Sequence, residues 1–164
     1  MKRTIVGGVL VGCAALLAVV GCGAACKCSR TTAAEPKTAP ERVEIDGREY
    51  TLAASLWRDF MPMAPPDGES LVAILKVSPS DMMPLPADLA IDHVWVLKGN
   101  EQWSAQPELA GAHDEPAPAT RLEQSVRGGP KWGPGIKVDV VARLKQGKQT
   151  WLLKQVGVTI KRTD

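Results

Sequence analysis

The sequence predicts an all-β domain folded as a two-layer sandwich, and three observations lead there. Apolar and polar residues alternate in short runs rather than at a helical period, so no helix-period pattern survives over ten positions of the chain beyond its N-terminal leader. Gly and Pro punctuate those runs, and three of the breaks carry tight-hairpin chemistry. About eight such runs share roughly 120 residues, the size of one domain with one core.

The chain opens differently. Lys2 and Arg3 give a positive start, Ile5 to Val20 is an unbroken run of apolar and small residues, and Val19-Val20-Gly21-Cys22 closes it, which is the order of a secretory signal peptide. The closing tetrad resembles the lipobox of bacterial lipoproteins: aliphatic, small or aliphatic, small, then Cys. The resemblance covers the leader alone and implies cleavage after residue 21, with a diacylglyceryl group on Cys22. Leu10-Val11-Gly12-Cys13 has the same form, but its hydrophobic segment would be only half as long, so Cys22 is the expected lipid-bearing residue. An uncleaved signal anchor is the competing reading of the same apolar run. Because one acyl chain binds a bilayer marginally and two or more bind it stably, a processed Cys22 would fix the chain to a membrane face. Gly23, where enteric lipoproteins retained at the inner membrane carry Asp, points by the same resemblance to the outer membrane. Cys26-Lys27-Cys28 offers two thiolates to a soft metal, a short ligand set without converging His or Cys.

Residues 22–42 follow as a spacer. Ser29 to Arg42 is polar and Pro-containing with no large apolar side chain, so a disordered tether is expected. From Val43 to Asp164 the strands begin. Val43-Glu-Ile-Asp-Gly-Arg-Glu-Tyr-Thr-Leu52 alternates on both sides of Asp46-Gly47, a strong hairpin signal. Further strands are expected over 56–60, 71–77, 91–97, 101–104, 121–126, 136–144 and 150–160, with tight turns at Gly99-Asn100 and Gln146-Gly147-Lys148. The Pro-bearing stretches 61–69, 78–90 and 105–120 read as loops, with Pro79 to Leu89 the one place for a helical turn. The set suggests an immunoglobulin-like β-sandwich of about seven to eight strands in architecture, though the Cys-Trp-Cys spacing of antibody domains is absent. Trp95 is the candidate for the buried Trp between sheets.

Composition narrows the function. There are 20 Lys and Arg against 18 Asp and Glu, and Lys2 and Arg3 belong to the leader, so the remainder is balanced and gives no electrostatic reason to expect nucleic acid. All four cysteines lie within the first 28 residues, so the domain has no disulfide framework and must be held by packing. The chain shows no Gly-x-Ser-x-Gly, no His-Glu-x-x-His, no phosphate loop and no thiol in the domain, and an enzyme is not expected. His93 and His113, both with acidic neighbours, would need to converge to form a site.

Two other patterns carry more chemistry. Met61, Met63, Met82 and Met83 place four thioethers in two Pro-rich loops, a ligand type suited to copper(I) in an oxidising compartment; the plain alternative is that they fill gaps in an aliphatic core. Gly128-Gly-Pro-Lys131-Trp132-Gly-Pro-Gly135 presents one Lys and one Trp among Gly and Pro, and with Trp103 it could stack on a sugar or anchor a protein partner; the alternative is that Trp132 folds inward as a plug. The expectation is an exported, lipid-anchored, non-enzymatic binding or assembly module of the cell envelope that contacts an envelope protein or a polysaccharide. A copper carrier and a glycan-binding module are the alternatives.

Overall fold

The computed structural model describes residues 35–107 and 119–164. The leader, Cys13, Cys22, Cys26, Cys28, His113 and the first part of the spacer lie outside the described residues. What is described is all-β: strands β1 (Arg42–Ile45), β2 (Arg48–Asp59), β3 (Leu71–Pro79), β4 (Leu89–Lys98), β5 (Glu101–Ala105), β6 (Leu122–Gly129), β7 (Lys137–Gln146) and β8 (Gln149–Thr163). They form one curled path in the order β5-β4-β7-β8-β2-β3-β6, with β1 beside β2.

Alternation builds the two layers. β3 buries Leu71, Ala73, Leu75 and Val77 on one face, and β7 buries Val138, Val140, Ala142 and Leu144 opposite. Tyr50, Leu52 and Leu56 of β2, Val94 and Val96 of β4, and Leu153 and Ile160 of β8 complete one aliphatic core. Each fully buried Leu or Val contributes about 1.5–3 kcal/mol, which is how the domain holds without a disulfide.

β8 joins the layers. Its first part runs antiparallel to β7, while Leu56↔Ile160 to Asp59↔Thr163 pair parallel with β2. A bulge marks the change: the register slips between Val138 and Val140, Gly157 takes φ +66, and its N–H donates to the Asp139 carboxylate at 2.9 Å. Antiparallel β2-β3-β6 in one layer, β5-β4-β7-β8 in the other and a parallel β2–β8 pairing give the strand arrangement of an immunoglobulin-like sandwich.

The Asp46-Gly47, Gly99-Asn100 and Gly147-Lys148 turns fall where the sequence puts them, with Asp46, Gly47, Gly99 and Gly147 all at positive φ. Four details differ. The run 56–60 is not a separate strand but the end of β2, because β3 supplies a continuous ladder from Tyr50↔Pro79 to Trp57↔Val72. Pro79 to Leu89 holds turns and no helix; the single described helical turn is Pro36–Thr38. Trp95 does not stand between the layers, because Val94 and Val96 take the inward positions and turn its ring outward. There it packs with Leu97, Val141 and Leu152 beneath Ala39. The end of the expected spacer therefore belongs to the fold: Ala39 is buried, the Lys154 N–H donates to Pro40 O at 2.8 Å, and the Lys154 ammonium donates to Lys37 O at 3.2 Å.

Candidate functional site

A densely hydrogen-bonded part of the surface lies at the end of the sandwich where β2 stops. Inward positions of β2 alternate down to Arg58, which is 3% exposed and the one buried charged residue among those described. Its guanidinium forks to three main-chain carbonyls: Nε donates to Glu69 O at 2.8 Å, Nη1 to Lys131 O at 3.2 Å and Nη2 to Asp67 O. One cation thus fastens the β2–β3 loop to the β6–β7 loop, with carbonyl dipoles in place of a carboxylate partner. Outside this clamp the Lys131 ammonium meets both Asp67 oxygens at 2.7 and 2.8 Å. Two guanidinium groups lie over the Phe60 ring, Arg58 at 5.0 Å and Arg162 at 4.1 Å. Gly68, at φ +78, lets the loop close against that ring.

What this fastened loop presents is Met61, 51% exposed, and Met63, 97% exposed. The opposite end repeats the device. Arg48, at the start of β2, pairs with Asp81 through Nε and Nη2 at 2.9 and 2.8 Å and donates to Pro84 O and Met83 O, each at 2.9 Å. That loop carries Met82, at φ +55, and Met83, 76% and 58% exposed. The methionines therefore do not fill gaps in the core. Nor are the four brought together: the β2–β3 ladder from Tyr50 to Trp57 separates the pairs by roughly 25 Å at 3.3–3.4 Å per residue, so no four-thioether copper site can form within one chain.

Both clamps depress acids. The Lys131 hydrogen bond holds the Asp67 carboxyl below its ordinary range, and Arg48, followed by the Met83 N–H, does the same for Asp81. Lys98, then the Trp132 indole, lowers Glu101. The unfolded chain takes up these protons first, so the stabilisation is complete above the ordinary carboxylate range and is lost as pH falls through about 4 and below. Denaturation midpoints measured from about pH 6 down to about pH 3 should fall, and Arg48→Gln should flatten that profile.

Lys131 and Trp132 sit in this end, but neither is a free tip. Trp132 is half-buried against the core, its Nε1 donates to Glu101 Oε2 at 2.8 Å, and the Lys98 ammonium stands 4.9 Å from its ring. Trp103 is also half-buried, its ring against Gly129, where an added Cβ would come within 3.1 Å. Trp132 thus sits on the turn of the β4–β5 hairpin and Trp103, within β5, on β6, and the loop expected over 128–135 begins inside β6. Elsewhere, the His93 ring lies tilted against Trp95, centroids 4.3 Å apart, on the outer face of β4, beside a two-pronged Asp92–Arg143 contact at 2.6 and 3.0 Å. Burial, then Arg143, lowers its pKa, with Asp92 opposing.

Sequence reasoning passes over Arg58, Phe60 and Trp57. The signal was present for the first: in Leu52-x-Ala54-x-Leu56-x-Arg58 a charge occupies an inward position and must find partners. No protein-family model matches the chain, and no match was found among curated proteins or solved structures.

Proposed function

We propose that this chain is a lipid-anchored, non-enzymatic binding module of the bacterial envelope that engages a partner protein through the Met61-Pro62-Met63 loop. The observation that carries the reading is the clamp: a buried guanidinium and an outer ion pair hold a loop whose tip puts two thioethers into water. Holding a loop in one shape before contact reduces the ordering cost of binding, and exposed Met adapts to apolar partner surfaces. The lipobox at Cys22 supplies the address, and the stretch from Cys22 to Glu35 can reach at most roughly 45 Å from the bilayer.

The test is amine-reactive crosslinking on intact membranes, comparing four forms of the chain. An adduct seen with the native chain should be lost in Cys22→Ser and in the Met61→Ser, Met63→Ser double variant, and kept in Met82→Ser, Met83→Ser. An adduct indifferent to the Met61 and Met63 changes, or none with the native chain, would overturn the reading.

A further inference from the structure

A second surface at the same end has different chemistry. On the outer face of the smaller layer Trp57 of β2 stands in register with Val72 of β3. The β3–β6 ladder slips there, from Leu71↔Gly129 to Ala73↔Val126, so two β6 residues lie opposite Val72. Gly128, at φ +79, makes that bulge possible, and a bulge re-aims the side chain it carries, here Arg127. The result is a groove of about 280 Å³ lined by Trp57, Val72, Arg127 and Gly128, with Asp59, Glu69 and Ser70 along the β2–β3 side.

The polar groups of the groove are partly uncommitted. Asp59 accepts from the Met61 N–H and from the Thr163 hydroxyl. The Glu69 carboxylate, the Ser70 hydroxyl, the Arg127 guanidinium and the Trp57 indole N–H make no hydrogen bond or ion pair among the described residues. The Glu69 main chain, in contrast, is fixed by the Arg58 clamp and by its N–H to Asp59 O at 2.8 Å. The wall is therefore held while its side chains remain available.

We infer that this groove binds a pyranose ring of an envelope polysaccharide. An indole offers a flat apolar platform to the C–H face of a sugar, and a guanidinium, a carboxylate and a hydroxyl around it can donate to and accept from ring hydroxyls at the edge. Two carboxylates, Asp59 and Glu69, against one guanidinium, Arg127, disfavour a strongly anionic ligand. The volume lies near the lower limit for ligand pockets, which suits a single ring rather than an extended drug-sized molecule. This site goes beyond the methionine loop and stands whether or not that loop has a partner.

The experiment uses the full chain purified in detergent. Its Trp fluorescence is titrated with chitotriose and with cellotriose to about 10 mM, beside retention on peptidoglycan sacculi. A saturable change with either trisaccharide is expected; preference for chitotriose with sacculus retention assigns the acetamido glycan of the wall, and preference for cellotriose an unsubstituted polysaccharide. Trp57→Ala and Arg127→Gln should each weaken binding at least tenfold, while Trp103→Phe and Trp132→Phe leave it within twofold. Arg127 is exposed, so that variant tests the groove even if Trp57→Ala melts early. No saturable signal and no retention, or binding unchanged by Arg127→Gln and Trp57→Ala, would overturn the inference.

Discussion

Arg58→Ala should lower the unfolding free energy by about 3–5 kcal/mol, among the largest single-site losses expected in this domain. The change leaves three loop carbonyls without their shared donor and opens a void at the end of the core. For a domain of this size the melting temperature should fall by roughly 10–20 °C. Arg58→Lys should recover little, because one ammonium cannot reach three carbonyls that diverge toward residues 67, 69 and 131. Arg127→Ala, on the exposed end of β6, serves as the control and should stay within about 0.5 kcal/mol. Thermal melts of the three variants check the ordering; an Arg58→Ala form as stable as the Arg127→Ala form would mean that the two loops are held by something else.

Gly68→Ala should cost about 2–4 kcal/mol, by two separable routes. The backbone at φ +78 penalises any L side chain by about 1–2 kcal/mol. A Cβ would also lie 2.6 Å from the Phe60 ring, which would have to leave its contacts with Arg58 and Arg162. Phe60→Ala removes the obstacle, so in that background Gly68→Ala should cost only the backbone part. Denaturant melts of the double-mutant cycle should show non-additivity of about 1–2 kcal/mol. Additive effects would place the Phe60 ring elsewhere in solution.

The turns were legible because their chemistry is local. Asp46-Gly47, Gly99-Asn100 and Gln146-Gly147-Lys148 each contain a residue that must adopt positive φ, and each separates alternating runs. The length of β2 was not legible. Ala53-Ala54-Ser55 has weak strand propensity and no large inward side chain, and it is extended because β3 pairs along it while the Gln155 amide oxygen accepts the Ala54 N–H. The outward position of Trp95 was hidden for a related reason. Val94-Trp95-Val96-Leu97 has four apolar residues in a row, and alternation cannot say which pair faces inward when Ala39 covers the other face.

At the candidate site the sequence shows residue types but not their long-range contacts. Met61, Met63, Lys131 and Trp132 do fall at one end of the fold, but periodicity cannot show that Lys131 closes on Asp67 or Trp132 on Glu101, contacts that span many residues of sequence. Trp57 read as one more strand residue, and only the β6 bulge, a feature of pairing, turns its neighbourhood into a groove. Arg58 was within reach, since an inward charge in a strand calls for partners wherever it occurs.

The envelope reading depends first on how the chain is attached, and the N-terminal peptide of the protein extracted from membranes is the place to look. Its mass should be that of a chain beginning at Cys22 and bearing a diacylglyceryl group, and this form should disappear in Cys22→Ser. An intact leader, or an unmodified Cys22, would contradict the account.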